Sequence, residues 1–319
     1  MANITTTEGL GFIPEIWLGV ALGRLRNYLT IQKTVTRNTD LTGGGAFNVG
    51  QTLHLPKRGA LTVNDKVEGS PYTVQNPTAS TINLTLNKHK EVSFGIESRA
   101  LSEVNQDVIA GYTEDAVVAL AEQIDIDLLT FAGTMTSINA AIVGGATLTD
   151  GNLRSARQVL VQNKVAAQTP KFGIVSPSQM NALIDPTLSG GAMVRFDGLG
   201  VTNNVSNATA GNGIRTIPGS FGKVYNFELA ESQLTPFATT YKNVFYAQDA
   251  ILFASRELET PDERFGVSAT TMTDPESGMS MRLLHGYNIA QGAHQITLDI
   301  LYGYTAMRPE HMQVITTTS

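Results

Sequence analysis

The side chains that most often carry chemistry are few in this 319-residue sequence, and their spacing matches no catalytic pattern. The histidines form no HxxxH or HExxH pair, and no acidic residue stands at ligand spacing beside one on a shared helix face. A metal site is therefore not predicted. For His285 and His294, which flank a predicted strand or turn, a structural role is expected. The five histidines are His54, His89, His285, His294 and His311.

Motifs for nucleophilic catalysis and for cofactor binding are also missing. GSFG at 219–222 lacks the spacing of a hydrolase nucleophile elbow, and GNG at 211–213 lacks the rest of a dinucleotide fingerprint. Asp125 and Asp127 are two residues apart, so on a helix they point to different faces and cannot act as a carboxylate pair. Because the chain has no cysteine, disulfides, thiolate catalysis and zinc–thiolate sites are excluded. The sequence predicts a protein that is not an enzyme, with no cofactor.

Composition narrows the class of protein further. Hydrophobic residues make up 42% and charged residues 16%, which is globular but sparing in surface charge. Such a surface is either hidden in an assembly or rich in Thr and Asn. The net charge of −6 argues against tight binding of duplex DNA, which requires clustered Lys and Arg. The most apolar early stretch, Phe12 to Leu25, is too short for a membrane span and contains Glu15 and Arg24.

The first predicted element is a short helix near the N-terminus. Pro14 suits a first helical turn, and leucines then recur at spacings of 4, 3 and 4 residues on one face. Gly19 and Gly23 weaken this helix, so it needs a partner surface. A core helix and a docking arm are equally consistent with these four leucines: Leu18, Leu22, Leu25 and Leu29.

A long β-hairpin is predicted next. Leu53 and Leu55 alternate into a strand, and Leu61 and Val63 continue the alternation towards a tip rich in turn residues. The return segment, residues 81–97, reads as one strand, which at roughly 3.3 Å per residue would span on the order of 50 Å. We interpret the hairpin as a projection whose outer part leaves its own core and lies on a neighbouring chain.

The hairpin is locally basic. These cations either form a solvated face that keeps an exposed ribbon from aggregating, or meet acidic groups on a neighbouring subunit. On the second interpretation the candidate inter-subunit contacts comprise the hairpin cations and the single tryptophan of the N-terminal segment: Trp17, Lys57, Arg58, Lys66, Lys88 and Lys90.

One long amphipathic helix is predicted from about Ser102 to Ala132, closed by Gly133 as the C′ residue. Its apolar stripe recurs at spacings of 3 or 4, and Asp125 is among the acidic residues expected to lie away from it. Such a helix is expected to act as a strut. The stripe consists of Ile109, Tyr112, Ala116, Leu120, Ile124, Leu128 and Phe131.

The rest of the chain predicts a compact α/β block followed by strands. Asp150 is expected to cap a helix, Lys171 to Val175 to form a buried strand, and Ser176-Pro177 to open a short helix ending at Ile184. This block extends to about residue 245. A strictly alternating strand of Ile and Tyr follows near residues 296–304.

In this order, the segments resemble the major capsid proteins of tailed bacteriophages, whose shell fold is shared with herpesviruses and encapsulins. Five motifs carry the resemblance and together span nearly the whole chain: FIPEIW (12–17), GQTLHLPKRG (50–59), AVVALAEQIDIDLLTFAG (116–133), FGIVSPSQMNALI (173–185) and LDILYGYTAMRPE (298–310).

The resemblance implies an α+β shell fold with an N-arm, a long β-hairpin extended loop, a spine helix, a peripheral domain and an inserted axial domain. The implied division is an N-terminal arm at 1–47, the extended loop at 48–97, peripheral domain with spine helix at 98–149, axial domain at 150–245, and returning peripheral strands at 246–319.

The implied function is that of a structural major capsid protein. Hexamers and pentamers of the chain would close into an icosahedral shell around double-stranded DNA, without sequence-specific binding. The protein would be made in the host bacterial cytoplasm and reside in the virion capsid, with no membrane partner. Because the chain begins almost at its arm, a separate scaffolding protein is expected, together with a portal; a decoration protein is a further candidate partner.

Some relatives cross-link a loop lysine to a neighbour's asparagine. Lys57, Lys66 and Lys88 are possible donors by position, but nothing selects one, and no cross-link is predicted. Two other functions remain open. An encapsulin-like nanocompartment shell would hold a cargo protein and no nucleic acid. An enzyme with an interface-built site would show a concave pocket with shifted titrating groups.

Overall fold

The computed structural model describes residues 21–22, 25, 28–37, 52–59, 61–76, 79–97, 106–184, 220–235, 240–261, 267–274 and 278–318. In these residues the strands form two six-stranded sheets and a separate two-stranded ribbon. The helices are α1 (Gln106–Thr134), α2 (Asp150–Gln162) and α3 (Pro177–Ile184). The strands are β1 (Thr36–Arg37), β2 (Thr52–Arg58), β3 (Ala79–Thr85), β4 (Lys88–Glu97), β5 (Ile142–Val143), β6 (Lys171–Val175), β7 (Ser220–Val224), β8 (Phe227–Glu231), β9 (Tyr241–Ala247), β10 (Ile251–Arg256), β11 (Val267–Thr273), β12 (Ser280–Asn288), β13 (Ala293–Ala306) and β14 (Met312–Thr317).

The first sheet is organised around β13, the alternating strand that the sequence predicts. β10 pairs with residues 301–306 of β13 and β12 with residues 293–300, while β4 pairs antiparallel with residues 293–302. β11 extends the sheet beyond β12, and β1 pairs in parallel with β10. Ile296, Leu298 and Ile300 are buried, as their alternation predicts.

The second sheet contains the predicted α/β block and also the end of the chain. Its strand order is β5-β14-β9-β6-β8-β7. β6 is buried along its whole length, and α3 begins at Pro177 directly after Ser176, both as predicted. β14 pairs antiparallel with β9, so residues 312–317 belong to this sheet although they follow the strands of the first. The domain division at residues 150 and 245 stays a prediction.

α1 lies in the main core between the two sheets. Its residues Ala116, Leu120, Ile124 and Leu128 are buried, as the predicted stripe requires, in a cluster that includes side chains of both sheets. Tyr112 of that stripe is instead mainly exposed, with its ring 6.1 Å from that of Phe94.

Three local predictions about helices were wrong. Gly133 does not end α1, which continues to Thr134; it lies beside Lys242, whose Cδ would be 3.0 Å from an added Cβ. Asp150 is not the cap of α2, because Thr149 accepts from the Asn152 N–H and completes a capping box with that residue. Asp125 does not lie away from the apolar face but is buried with it.

The return segment of the hairpin is not one strand. β3 ends at Thr85, Leu86 and Asn87 intervene, and β4 begins at Lys88 in a different sheet. Because of the break, the apolar side chains before and after it pack on opposite faces of the first sheet. Leu84 packs on the face turned away from the main core, whereas Val92 and its apolar neighbours on β4 pack on the main core. β4 therefore does not project, and the projection is confined to the ribbon of β2 and β3 and the tip between them.

Candidate subunit interface

The base of the β2–β3 ribbon is fixed to its own subunit. Leu84 and Leu86 of the return segment are buried against Leu252, Ala254 and Leu301 of the first sheet. Close approach of the two backbones is possible because β13 carries a glycine at the crossing. A Cβ added to Gly303 would lie 2.2 Å from the carbonyl oxygen of Thr85. The ribbon thus has a defined starting direction.

The tip, residues 61–76, presents large apolar side chains to solvent. Val63 is 98% exposed, Tyr72 81% and Val74 87%, and Leu61 and Val67 are also exposed. Exposure of these side chains to water is unfavourable, because burying a Val or Leu side chain stabilises a protein by about 1.5–3 kcal/mol relative to leaving it exposed. Several large apolar side chains exposed on one loop indicate a contact with another molecule.

Polar contacts hold the tip in shape. The Gln75 side chain accepts from the Thr62 N–H at 2.9 Å and donates to the Thr62 carbonyl at 2.5 Å, bridging the two arms. Lys66 Nζ donates to the carbonyls of Val67, at 2.7 Å, and Ser70, and lies 5.2 Å from the Tyr72 ring centroid. The apolar side chains are therefore presented on a braced loop.

The remaining hairpin cations differ in their surroundings. Lys57 Nζ lies 3.5 Å from Glu310 Oε1, and Lys90 Nζ lies 3.5 Å from Asp127 Oδ2 on α1, so both have an acidic partner in their own chain. Lys88 is half-buried on β4 opposite Tyr302. Contacts of these cations with a neighbouring subunit stay a prediction.

The side chains of two predicted contact residues are not among those that the structure describes. Trp17 lies outside the described residues. The backbone of Arg58 ends β2, but its side chain is not among those described. Of the predicted set, Lys66 is therefore the one placed on the exposed tip.

Sequence reasoning missed the acidic partners and the exposed apolar side chains. Glu310 and Asp127 are far from the hairpin in sequence, so no local spacing could pair them with Lys57 and Lys90. The exposure of Leu61 and Val63 was misread as strand alternation, although the dense turn residues after Val63 were a signal that the ladder ends before them.

The N-terminal segment, residues 28–37, joins the long helix to both sheets. The Thr30 N–H donates to Asp125 Oδ2 of α1 at 2.7 Å, and Thr34 hydrogen-bonds the Tyr246 hydroxyl of β9. Thr36 Oγ1 donates to the Gln248 carbonyl at 2.9 Å, beside the pairing of β1 with β10. Leu29 of this segment is buried in the main core together with Leu22 and Leu25 upstream of it, which favours a core helix for the described part of the predicted leucine stripe.

Burial raises the pKa of Asp125 to about 7, although backbone N–H groups of residues 30–32 act to lower it. Burial likewise raises the pKa of Tyr246. Asp127, two residues along α1, instead accepts from the Tyr302 hydroxyl at 2.9 Å. The two carboxylates have separate partners and form no pair, as the sequence predicts.

Three histidines contact side chains of their own chain. His285 and His294 stack with ring centroids 5.9 Å apart, and His311 Nδ1 lies 2.9 Å from Asp249 Oδ1. Burial is the main cause that lowers the pKa of His285. Within the described ranges, no three His, Asp or Glu side chains are grouped so as to hold a metal ion. None of the described helices combines the length and apolar character needed to cross a bilayer.

Comparison with known proteins gives structural matches but no sequence family. No family model matches the chain, and no curated protein matches its sequence. A structure from Mycobacterium phage Che8 matches at 17% identity and a TM-score of 0.57, over 90% of each chain. The mature capsid of bacteriophage PhiM1 matches at 12% identity and a TM-score of 0.59, over 91% of this chain and 87% of that one.

A third match is the capsid of a native GTA particle. It has 11% identity and a TM-score of 0.54, and covers 91% of this chain and 90% of that one. At these identities the likeness concerns the fold, which is common to all three over nine-tenths of the chain.

Proposed function

We propose that this chain, which has the shell fold of tailed-phage capsid proteins, is a major capsid protein that assembles into an icosahedral shell enclosing double-stranded DNA. The observation that carries the proposal is the braced apolar tip on an anchored ribbon. In a lone subunit the tip exposes Val63, Tyr72 and Val74 to water. A neighbouring subunit that covers the tip would bury these side chains.

In such a shell each part of the subunit has its own role. The tip and the N-terminal arm hold neighbouring subunits, and the second sheet with α2 and α3 forms the capsomer centre as an axial domain. The first sheet and α1, the spine helix, form the peripheral domain. Because single contacts of exposed groups are weak, many equivalent contacts in a closed shell supply the stability.

The expected partners are further copies of the chain, as hexamers and pentamers, and a separate scaffolding protein and a portal. A decoration protein could be added from outside. The net charge of −6 supports a wall that surrounds DNA without binding it tightly. The chain performs no catalysis in this function.

The content of purified particles tests the proposal. The chain is expressed with the gene products of its own particle, and the particles are treated with nuclease before extraction. Nuclease-protected double-stranded DNA of uniform length is the expected result. Particles that contain one co-purifying protein and no nucleic acid would instead support the encapsulin-like alternative. A chain that forms no particle at all would contradict both functions.

A further inference from the structure

The free edges of the two sheets differ in how readily another strand could pair with them. An unpaired edge exposes backbone N–H and C=O groups, and proteins usually block such edges with charges, irregularities or short length. In the described part of the chain, β1 and β5 are edges of only two residues. β4 carries a charged or titratable side chain at five of its ten positions: Lys88, His89, Lys90, Glu91 and Glu97. β7 contains Lys223 and a register shift in its pairing with β8.

β11 has none of these blocks. Its seven residues, VSATTMT, include no charge and no proline, and all seven pair in regular register with β12. In an antiparallel pair every second residue of an edge strand points its N–H and C=O away from its partner. Within the described residues nothing pairs with this outer side of β11.

An open cavity lies next to this edge. It has a volume of about 470 Å³. Its lining includes Leu284 and Thr297, which alternate with Leu283 and Leu298 of the main core and so lie on the opposite face of the first sheet. Val267 of β11, Leu284 of β12 and Ile289 in the β12–β13 turn contribute apolar surface to it, and Ile289 is 88% exposed. The other end of the same face is covered by the leucines of the chain's own ribbon. The end next to β11 is open.

The tip carries a segment with matching properties. Residues 72–76, YTVQN, are uncharged and lie outside any strand or helix. Tyr72 and Val74 are both more than four-fifths exposed. The backbone of Tyr72 to Gln75 makes no hydrogen bond within the described residues. Because these side chains are exposed, the tip does not lie on the β11 edge of its own chain.

We infer that the outer edge of β11 is a strand-addition site for residues 72–76 of a second copy of this chain. Backbone hydrogen bonds would extend the first sheet of one subunit by a strand of the next. Tyr72 would lie at the apolar cavity beside Val267, and Val74 would follow on the same side. An aromatic anchor beside a main-chain ladder is a common way for an extended peptide to bind an edge. The inference rests on the proposed function and specifies the surface that receives the tip.

The natural absence of cysteine allows a direct test by disulfide trapping. One tagged chain carries Ser268→Cys at an exposed position of β11, and an untagged chain carries a cysteine in turn at Tyr72, Thr73 or Val74. The two are assembled together and oxidised, so that a mixed disulfide can only join two copies. A disulfide requires Cα atoms within about 7 Å, which a neighbouring strand satisfies. In the matched control, the tagged chain carries its cysteine on the charged edge strand β4, as Glu91→Cys, and keeps Ser268.

The expected result is a cross-linked heterodimer in assembled shells with cysteine at 268 and at one of the three tip positions, and none with cysteine at 91. Shells that form normally but give no cross-link at 268, or an equal one at 91, overturn the inference and leave the proposed function standing. Absence of shells in the unsubstituted chain contradicts the proposed function, and the inference with it.

A second variant tests the same edge without oxidation. Ser268→Lys places on β11 the residue that natural edges use against strand pairing. We expect a loss of shell yield with Ser268→Lys and none with Thr130→Lys, which adds the same charge at an exposed position of α1. Equal yields for the two variants would count against strand addition at β11.

Discussion

Asp125 of the long helix accepts a hydrogen bond from the backbone N–H of Thr30 at 2.7 Å, across 95 residues of sequence. The contact fixes the N-terminal segment to α1 through a carboxyl group that is buried and whose Oδ1 has no hydrogen-bond partner. Because burial raises the pKa of this carboxyl group, the contact makes the stability of the fold depend on pH.

The first prediction concerns that dependence. The folded pKa of Asp125, about 7, lies above the ordinary value of 3.8, so the folded state binds the proton more tightly than the unfolded state. Its contribution to stability is therefore complete below pH 4 and is lost as pH rises to about 7, by at most about 4 kcal/mol. Asp125→Asn should flatten this part of the profile of unfolding free energy against pH, measured by urea denaturation of unassembled chain.

The control for this prediction is Glu122→Gln, at an exposed position of the same helix. It should leave the slope between pH 4 and 7 unchanged. A slope equal in Asp125→Asn and in the unsubstituted chain would assign the pH dependence to other groups.

Asp125 also illustrates what the sequence could and could not predict. The spacing of 3 or 4 residues correctly predicted that Ala116, Leu120, Ile124 and Leu128 are buried, because such residues share one face of a helix and an apolar face is stable only when it is buried. The same reasoning placed a carboxylate outside that face. Its burial depends on backbone donors near Thr30, and a contact so distant in sequence leaves no mark in local spacing.

The hairpin, too, was predicted in part. The alternation of apolar residues correctly predicted the ribbon, β13 and the apolar positions of β3 and β4. It could not reveal the break at Leu86 and Asn87, since apolar residues keep one parity through it. What decides the break is pairing: β3 pairs with β2 and β4 with β13. The inter-subunit contacts of Lys57, Lys88 and Lys90 stay predictions.

The second prediction tests the anchor of the ribbon. Gly303→Ala should destabilise the chain by about 3 kcal/mol, because the new methyl group would overlap the Thr85 backbone, which cannot rotate away. Gly95→Ala is the matched change on β4, where the nearest atom to an added Cβ is at an ordinary 3.6 Å. Thermal unfolding should separate the two variants. Equal melting temperatures would mean that the ribbon does not lie against β13 as described.

The third prediction separates assembly from folding. Tyr72→Ser combined with Val74→Ser should leave the unfolding free energy within about 0.5 kcal/mol of the unsubstituted chain, because both side chains are exposed. Shell yield, measured by sedimentation, should fall strongly. Val161→Ser, which removes an exposed valine from α2, should change neither quantity. Normal yield from the double variant would show that the tip is not a subunit contact.

The fourth prediction concerns the bracing of the tip. Gln75→Ala removes both hydrogen bonds to the Thr62 backbone, so the two arms should move independently. Amide hydrogen exchange at Thr62, whose N–H is bonded to the Gln75 side chain, should become faster, while exchange in β13 stays unchanged. Thr73→Ala, an exposed neighbour without such bonds, is the control. If Gln75→Ala exchanges at the original rate, the bracing does not order the loop.

The most direct test of the central claim is negative-stain electron microscopy, with sizing, of the purified chain alone and with a candidate scaffolding protein. The account predicts uniform closed shells or capsomer-sized rings. A stable monomer or small dimer under every condition, including the presence of the candidate scaffolding protein, would contradict it.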